Sequence, residues 1–227
     1  MKRCILCLQE LPLFQGLDRA EFTSVCLSAT KKRLAKNTFL FHQGDNAGTL
    51  FLVKTGKLKL VRVTDGGKEI ILDIIGPGEV LGETALFHDQ EYLFSAIALE
   101  ETGLCCFNRH QFEALIQKNP GLAVKIISYL GQKLYKTLAH VAETSGTSTK
   151  EKLLRLLLRL AAEYGRKVPD GTLIELEITQ QELADMVGAS RVMTVQVLQQ
   201  FTEAGIIERQ GKHYVLKSDP CIDRFFA

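Results

Sequence analysis

The chain has 227 residues, of which 46% are hydrophobic and 24% are charged, and its formal net charge is +2. This length suits one large domain or two ordinary ones, and the hydrophobic content can supply their cores. A charge this close to neutral excludes a protein that coats nucleic acid through bulk positive charge. Any DNA binding therefore has to come from a local patch and from specific contacts.

The N-terminal segment and the cysteines set the expected environment of the protein. Ile5–Leu8 is an apolar run too short for a signal peptide, and charged residues such as Lys125, Arg155 and Arg159 interrupt the longer apolar runs. We therefore expect a cytoplasmic protein without a membrane partner. In that environment the six cysteines are expected to be reduced, metal-binding or redox-active rather than a disulfide framework.

The N-terminal half has the pattern of a β-rich domain. Leu11–Ala29 is predicted as a helix, and from Thr38 to about Phe107 short strand-like runs alternate with glycine. Asp65–Gly67 is a hairpin signal between two of these runs. Many short strands without helices between them predict a jelly-roll β-barrel, which we assign to residues 1–118. The predicted strands are Phe39–Phe41, Leu50–Val53, Leu58–Val63, Ile70–Ile75 and Ala96–Leu99.

A long helix is predicted next, over residues 119–144. Its apolar residues recur in steps of three and four, which is the heptad pattern of a dimer seam. The alternative is a stripe that packs on its own domain, the commoner fate of an amphipathic helix. Because the stripe is narrow, and because Ile126 and Leu138 beside it can make the intramolecular contact, we favour a homodimer. The predicted seam comprises Ala123, Ile127, Leu130, Leu134, Thr137 and Val141.

The C-terminal third is predicted to be a separate domain, so that the whole chain falls in the α+β class. Residues 145–149 are small and polar, which is the composition of a hinge. A leucine-rich helix begins at about Lys150 and opens a domain that covers residues 150–227.

Within this domain, Ile178–Phe201 has the spacing of a helix-turn-helix. Thr179 and Glu182 form a capping box at the start of the first helix. Gly188 permits the turn, and Ser190 is a good N-cap for the second helix. Taken alone, this pattern also fits a helical hairpin inside a core.

A strand hairpin follows and favours the DNA-binding interpretation. Gly205–Arg209 and His213–Leu216 are strand-like and flank the turn Gln210–Lys212. A helix-turn-helix with a trailing hairpin is a winged helix, whose second helix enters the DNA major groove.

The second helix of this motif has two different sides. Thr194, Val197, Leu198 and Phe201 fall on one side and are predicted to pack inward. The outward side is uncharged and rich in amide groups, which suits the reading of base edges better than the neutralisation of phosphate. The predicted DNA contacts are Thr179, Gln180, Ser190, Arg191, Val192, Gln196 and Gln199.

This order of barrel, dimer helix, hinge and winged helix resembles the cyclic AMP receptor protein and FNR (Crp/Fnr) superfamily of bacterial transcription regulators. The resemblance covers nearly the whole chain. It implies a non-enzymatic regulator whose barrel, residues 1–118, is a sensor domain. Such a regulator binds a two-fold related operator as a homodimer and works with RNA polymerase. Its most specific points are His42–Asp45, Gly56–Leu60, Gly76–Glu79, Gly82, Glu83, Leu86, Phe87 and Ile178–Arg191.

The resemblance also argues against cyclic AMP as the effector. In cyclic-nucleotide-binding members a Gly-Glu pair holds the ribose and an Arg-Ser pair holds the phosphate. Gly82, Glu83 and Ser95 are present, but Phe94 stands at the position of the arginine. The Thr-Ser pair that reads the base becomes Thr137 followed by leucine. Because an unpaired buried phosphate is costly, we expect that cyclic AMP is not the effector. Gly82 and Glu83 are then expected to be only a turn and a surface charge.

The cysteines leave the cofactor open. Cys4 and Cys7 form a Cys-x-x-Cys pair, and Cys106 aligns with the barrel cysteine that completes the iron-sulfur site of FNR-type members. The third N-terminal cysteine of those members is missing, so a fourth ligand would have to be Cys26 or Cys105. The alternatives are structural buried cysteines, a thiol-disulfide switch through Cys4 and Cys7, and haem bound by a histidine.

Two other function classes are weaker. An oxidoreductase using Cys4 and Cys7 would need that pair to open a helix beside a parallel sheet, and the surrounding sequence predicts neither. A cyclic-nucleotide-binding regulatory protein with a protein-binding C-terminal domain fits poorly with Phe94 and with the amide-rich helix. We therefore predict a regulator that responds to a redox, gas or small-molecule signal.

The second helix also predicts which bases are read. The corresponding helix of the family commonly carries a glutamate at the position of Val192 and an arginine at that of Gln196. Glutamine pairs with adenine and valine can meet a thymine methyl, so we expect an A·T pair where the family has G·C.

Overall fold

The computed structural model describes residues 27–64, 66–83, 91–118, 120–144 and 148–217. The chain divides into two compact units, Met1–Ala139 and His140–Ala227. Most of the predicted helix Leu11–Ala29, the turn residue Asp65 and the family positions Leu86 and Phe87 lie outside the described residues.

The first unit is built on two antiparallel four-stranded sheets, with strand orders β1-β8-β3-β6 and β2-β7-β4-β5. Apolar side chains from both sheets form one interior core, which includes Leu34, Val53, Leu58 and Leu104. The predicted jelly-roll barrel is therefore the observed fold. Its strands are β1 (Thr30–Leu34), β2 (Phe39–Phe41), β3 (Thr49–Thr55), β4 (Leu58–Val63), β5 (Glu69–Ile75), β6 (Val80–Leu81), β7 (Ser95–Ala98) and β8 (Thr102–Asn108).

Each of the five predicted strands is present, whereas β1, β6 and β8 had not been predicted. β1 is an edge strand whose first four residues are exposed, so it lacks the apolar alternation that marks a half-buried strand. β6 has only two residues. β8 contains Gly103, which weakens a strand pattern. Pairing with neighbouring strands, rather than local propensity, stabilises these segments.

Two helices form a second layer on the barrel. Helix α1 (Arg109–Lys118) was not predicted, and helix α2 (Pro120–Thr144) matches the predicted long helix. The side chains of Phe112, Leu115 and Leu122 pack on Leu50 and Leu52 of β3. Neighbouring strand residues point to opposite faces, so β3 and β8 serve the interior core and this second core at the same time.

The second unit is a winged helix. Its elements are α3 (Thr149–Tyr164), β9 (Gly165–Val168), β10 (Gly171–Ile174), α4 (Gln180–Val187), α5 (Arg191–Glu203), β11 (Ile207–Gln210) and β12 (His213–Lys217). Ser148 caps α3 in a capping box with Glu151. The sheet has the order β11-β12-β10-β9. The β9–β10 hairpin was missed, although Pro169 and Asp170 before Gly171 are a turn signal.

The buried side of α3 faces the core of this unit. Leu153, Leu157 and Leu160 are fully buried, as are Leu183 of α4 and Phe201 of α5. This core holds the helix-turn-helix in place. Across the described residues, no helix has the length and apolar character needed to cross a membrane.

Candidate functional site

The first helix of the helix-turn-helix, α4, is fixed at both ends by local contacts. Thr179 is its N-cap: the Thr179 hydroxyl accepts from the Glu182 N–H at 3.1 Å, and the Glu182 carboxylate accepts from the Thr179 N–H at 2.9 Å. Gly188 closes the helix in the left-handed region, at a φ of 70°. Gln180 is half-buried in the first turn. The predicted capping box and glycine turn are confirmed.

The second helix, α5, is anchored in the same way. The Ser190 side chain accepts from the Met193 N–H at 3.2 Å, and the Thr194 hydroxyl donates to the Ser190 carbonyl at 3.1 Å. Every residue predicted to face inward is buried. These residues are Thr194, Val197, Leu198 and Phe201.

The outward side of α5 is open to solvent. Val192 is 69% exposed, and Arg191 and Gln196 are exposed beside it. Gln199 is also exposed, but its amide donates to the Glu203 carboxylate at 2.9 Å and would have to exchange this bond for one to a base. Sequence reasoning had not singled out Met193, which is exposed in the first turn next to Val192.

The hairpin β11–β12 forms the wing and is tied to the start of α4. The Ile178 N–H donates to the Lys212 carbonyl at 3.4 Å, and Lys212 Nζ lies 3.6 Å from a Glu177 carboxylate oxygen. Inside the wing, the Arg209 guanidinium donates to the Gly211 carbonyl at 2.9 Å. These bonds fix the position of the wing relative to the two helices.

In the barrel, Gly82 and Glu83 have roles that the sequence did not reveal. Gly82 has a φ of +82°, and a Cβ there would lie 2.4 Å from the Thr49 carbonyl oxygen, so the position requires glycine. The Glu83 carboxylate accepts from Lys133 Nζ at 2.5 Å. The expectation that Glu83 is only a surface charge is therefore wrong, because this carboxylate is half-buried in an ion pair with α2.

The ion pair keeps Lys133 charged despite its burial. Burial by itself would lower the pKa of the Lys133 ammonium, but the charge and hydrogen bond of Glu83 outweigh it and raise this pKa. Thr137, one turn further along α2, is exposed, and its hydroxyl donates to the Lys133 carbonyl at 2.9 Å.

Aromatic rings fill the part of the barrel interior near Phe94. Phe41 lies between three rings, with ring centroids 3.8 Å from Tyr92, 5.7 Å from Phe51 and 6.2 Å from Phe94. The Ser95 hydroxyl is buried and accepts from the Gln43 N–H at 2.9 Å. Among the described barrel residues, the buried polar side chains are Ser95 and Thr102, and neither carries a charge that would balance a phosphate.

Cys106 and Cys105 face different cores. The Cys106 thiol lies in the interior core, and burial raises its pKa to about 11. Cys105 faces the opposite core, between the sheet and the helices, so the two neighbours cannot point at one cluster. Cys4 and Cys7 lie outside the described residues. Within the described ranges, no group of three histidine, cysteine or acidic side chains is arranged to hold a metal ion.

Helix α2 presents an exposed apolar stripe. Val124, Ile127, Leu134, Tyr135 and Leu138 are between 59% and 75% exposed in the single chain.

The contact between α2 and the barrel is made by residues other than Leu138. Leu138 had been expected to make the intramolecular contact, and that expectation is wrong. Ile126 does make it, and Leu130 lines the same crevice between α2 and the barrel. The side chain of Val141 lies outside the described part of the chain.

Two family models match the chain, the "Cyclic nucleotide-binding domain" over residues 31–119 and the "Crp-like helix-turn-helix domain" over residues 151–220. The cyclic AMP receptor protein of Thermus thermophilus is 32% identical over 197 residues, which are 86% of this chain and 88% of the relative. The anaerobic regulatory protein of Bacillus subtilis is 28% identical over 194 residues, 84% of this chain and 82% of that protein.

The chain belongs to the Crp/Fnr superfamily of transcriptional regulators. A solved structure agrees with this assignment. The c-di-GMP responsive global regulator CLP of Xanthomonas campestris superposes with a TM-score of 0.77 at 26% identity, covering 89% of this chain and 100% of CLP.

Membership of the Crp/Fnr superfamily decides between the function classes. The relatives are transcriptional regulators, so the oxidoreductase alternative through Cys4 and Cys7 is wrong. A Crp-like helix-turn-helix occupies the C-terminal region, so the alternative of a protein-binding domain there is also wrong. The chain is a DNA-binding transcriptional regulator of mixed α and β structure.

Proposed function

We propose that this Crp/Fnr regulator binds a two-fold symmetric operator as a homodimer and responds to a redox, gas or small-molecule signal rather than to cyclic AMP. The outward side of α5 carries this proposal. It is uncharged around Val192 and Gln196, and it is exposed while the opposite side of the same helix is buried.

Gln196 is the main candidate for base recognition. A glutamine amide can bond both edge groups of adenine in the major groove, and a valine such as Val192 can contact a thymine methyl. The candidates for contacts to the DNA backbone are Arg191 at the start of the helix, Gln180 at the start of α4 and Lys212 in the wing. Such contacts position the helix without reading sequence.

Homodimer formation is supported by the stripe on α2. Val124, Ile127, Gly131, Leu134 and Leu138 follow one another in steps of three and four, which is the spacing of a coiled-coil seam. Exposed apolar patches of this kind mark association surfaces.

This seam shares Ile127 and Leu134 with the predicted one. It runs beside Leu130 and Thr137 rather than through them. Two-fold pairing of the helices would place the two α5 helices on half-sites about 10 to 10.5 base pairs apart. We also propose that the protein works with RNA polymerase in the cytoplasm. Its proposed domain limits are 1–118, 119–144, 145–149 and 150–227.

The exclusion of cyclic AMP is supported by three contacts in the barrel. Phe94 packs on the aromatic core, Ser95 accepts a backbone hydrogen bond, and Glu83 is paired with Lys133. The Glu83 carboxylate therefore already has a partner within the chain, and Phe94 supplies no charge that would balance a phosphate.

Selection from randomised DNA tests the proposal. The full-length protein, without added ligand and at fixed salt, is expected to enrich duplexes with two inverted half-sites. These should be centred about one helical turn apart and should carry an A·T pair at the Gln196 position. Failure to enrich any sequence under reducing, oxidising and anaerobic conditions would overturn it.

A further inference from the structure

Side chains of α2 hold both peptide groups of Val80. The Val80 N–H donates to the Tyr129 hydroxyl oxygen at 3.0 Å, and Lys133 Nζ donates to the Val80 carbonyl at 3.2 Å. The same ammonium donates to Glu83 at 2.5 Å. We call this set of contacts between Val80, Glu83, Tyr129 and Lys133 the Val80 bridge.

The Val80 bridge caps an open sheet edge. β6 is the last strand of the order β1-β8-β3-β6, so Val80 directs its peptide groups away from β3 at that edge. Tyr129 and Lys133 are neighbours on one face of α2, since residues four apart on a helix lie above one another. The helix thus takes the place of a further strand, through directional bonds rather than apolar packing alone.

These contacts are stronger than ordinary surface contacts. The Lys133 and Glu83 side chains are only 30% and 24% exposed, so water screens their attraction less than that of exposed pairs. Burial raises the pKa of the Tyr129 hydroxyl, which stays neutral at physiological pH and remains available to Val80.

Glu83 also borders the crevice between the barrel and α2. The crevice has a volume of about 20 Å³, which is room for little more than one water molecule, and Glu83 is the one charged residue of its lining. The other lining residues are Leu50, Val80, Phe112, Ile126, Tyr129 and Leu130. The Glu83 carboxylate at this crevice is already neutralised by Lys133.

We propose that Lys133 withdraws Glu83 from ligand binding and, with Tyr129, joins the barrel to α2 without a ligand. The ligand-free protein then already has α2 in the position that DNA binding needs. This inference rests on the proposed function, because it takes α2 as the dimer helix.

Cutting the Val80 bridge in the full-length protein tests this inference. Lys133→Met keeps the length of the side chain and removes its charge, and Gln132→Met makes the same replacement at the exposed neighbouring position. Ligand-free affinity for the selected operator is measured for both variants, and hydrogen exchange of the Val80 amide is measured in Tyr129→Phe, which removes the acceptor of that amide. We expect faster Val80 exchange in Tyr129→Phe, and an operator affinity about ten-fold weaker in Lys133→Met but not in Gln132→Met, the size of one lost charge-assisted bond.

A double variant distinguishes the loss of the Val80 bridge from a general loss of stability. Lys133→Met leaves Glu83 without its cation, and the added Glu83→Gln substitution removes that charge, so Lys133→Met/Glu83→Gln should fold well. It should still bind the operator weakly. Wild-type operator affinity in both Lys133 variants, or equal losses in Gln132→Met, would overturn the inference while the proposed function stands. A wild-type protein that binds no operator would instead contradict the proposed function.

Discussion

The winged unit and the barrel use their polar side chains in opposite ways. On α5, Gln196 is exposed, and within the described residues its amide makes no hydrogen bond. In the barrel, Glu83 and Ser95 are bonded within the chain, and Phe94 packs on the core. One unit exposes the polar side of a helix, and the other bonds Glu83 and Ser95 within the chain. This contrast favours the proposal that the chain retains the DNA site of the family fold and closes its nucleotide site.

The largest expected effect concerns the apolar stripe on α2. Leu134→Lys would place charges against their symmetry mates in a desolvated seam, at a cost on the order of several kcal/mol. The variant should be monomeric in sedimentation, and its operator affinity should collapse.

Gln132→Lys is the matched control for that variant. Gln132 is exposed on α2 but lies away from the stripe, so its dimer should survive. An intact dimer in Leu134→Lys would contradict the assignment of α2 as the dimer interface.

The two units also differ in how much of each could be predicted from the sequence. The helix-turn-helix was predicted well, because its capping box, its glycine turn and the two sides of α5 are local patterns within about 25 residues. The central strands of the barrel were also predicted, since their β-branched and aromatic residues mark buried strands.

The contacts that close the barrel site could not be predicted in this way. Lys133 and Glu83 are 50 residues apart, and no periodicity links a helix residue to a turn at such a separation. The heptad count alone placed Leu138 on the barrel side, because it cannot show which side of α2 the barrel covers. β6 and Val80 were missed for the same reason, since only the packed structure shows that α2 caps that edge.

The next largest effect concerns Gln196 on the exposed side of α5. Gln196→Ala should lose about 1 to 3 kcal/mol of binding free energy on the selected operator and much less on a random duplex of equal length. Gln200→Ala, on the flank of the same exposed side, is the control and should lose less. Equal losses on both duplexes in titrations at fixed salt would show that Gln196 positions the helix on the backbone.

A smaller effect is expected on the pH dependence of stability, through Cys106 in the barrel core. Burial raises the pKa of this thiol from its ordinary value of 9.0 to about 11. Between these values the unfolded thiol releases a proton that the folded thiol keeps. The stability contribution is therefore complete below pH 9 and is lost as the pH rises towards 11.

Urea unfolding in reducing buffer measures this loss. The free energy of unfolding should fall by about 1 kcal/mol more between pH 9 and pH 10 in the wild type than in Cys106→Ala. Parallel pH profiles for the two proteins would place Cys106 outside the core.

No effect at all is expected from cyclic AMP on thermal stability. A ligand present at a hundred times its dissociation constant adds about 2.7 kcal/mol to a folded state that alone binds it. Millimolar cyclic AMP should therefore leave the melting temperature unchanged, whereas oxygen, nitric oxide or a thiol oxidant is expected to change it. A clear rise with cyclic AMP would mean that the aromatic core around Phe94 opens for the nucleotide.

The contrast between an open DNA face and a closed nucleotide site is tested most directly by one titration. The selected operator is titrated with full-length protein at fixed salt, in the absence and in the presence of millimolar cyclic AMP. We predict that the protein binds the operator equally tightly and specifically in both conditions. Tight binding that requires cyclic AMP would contradict this prediction.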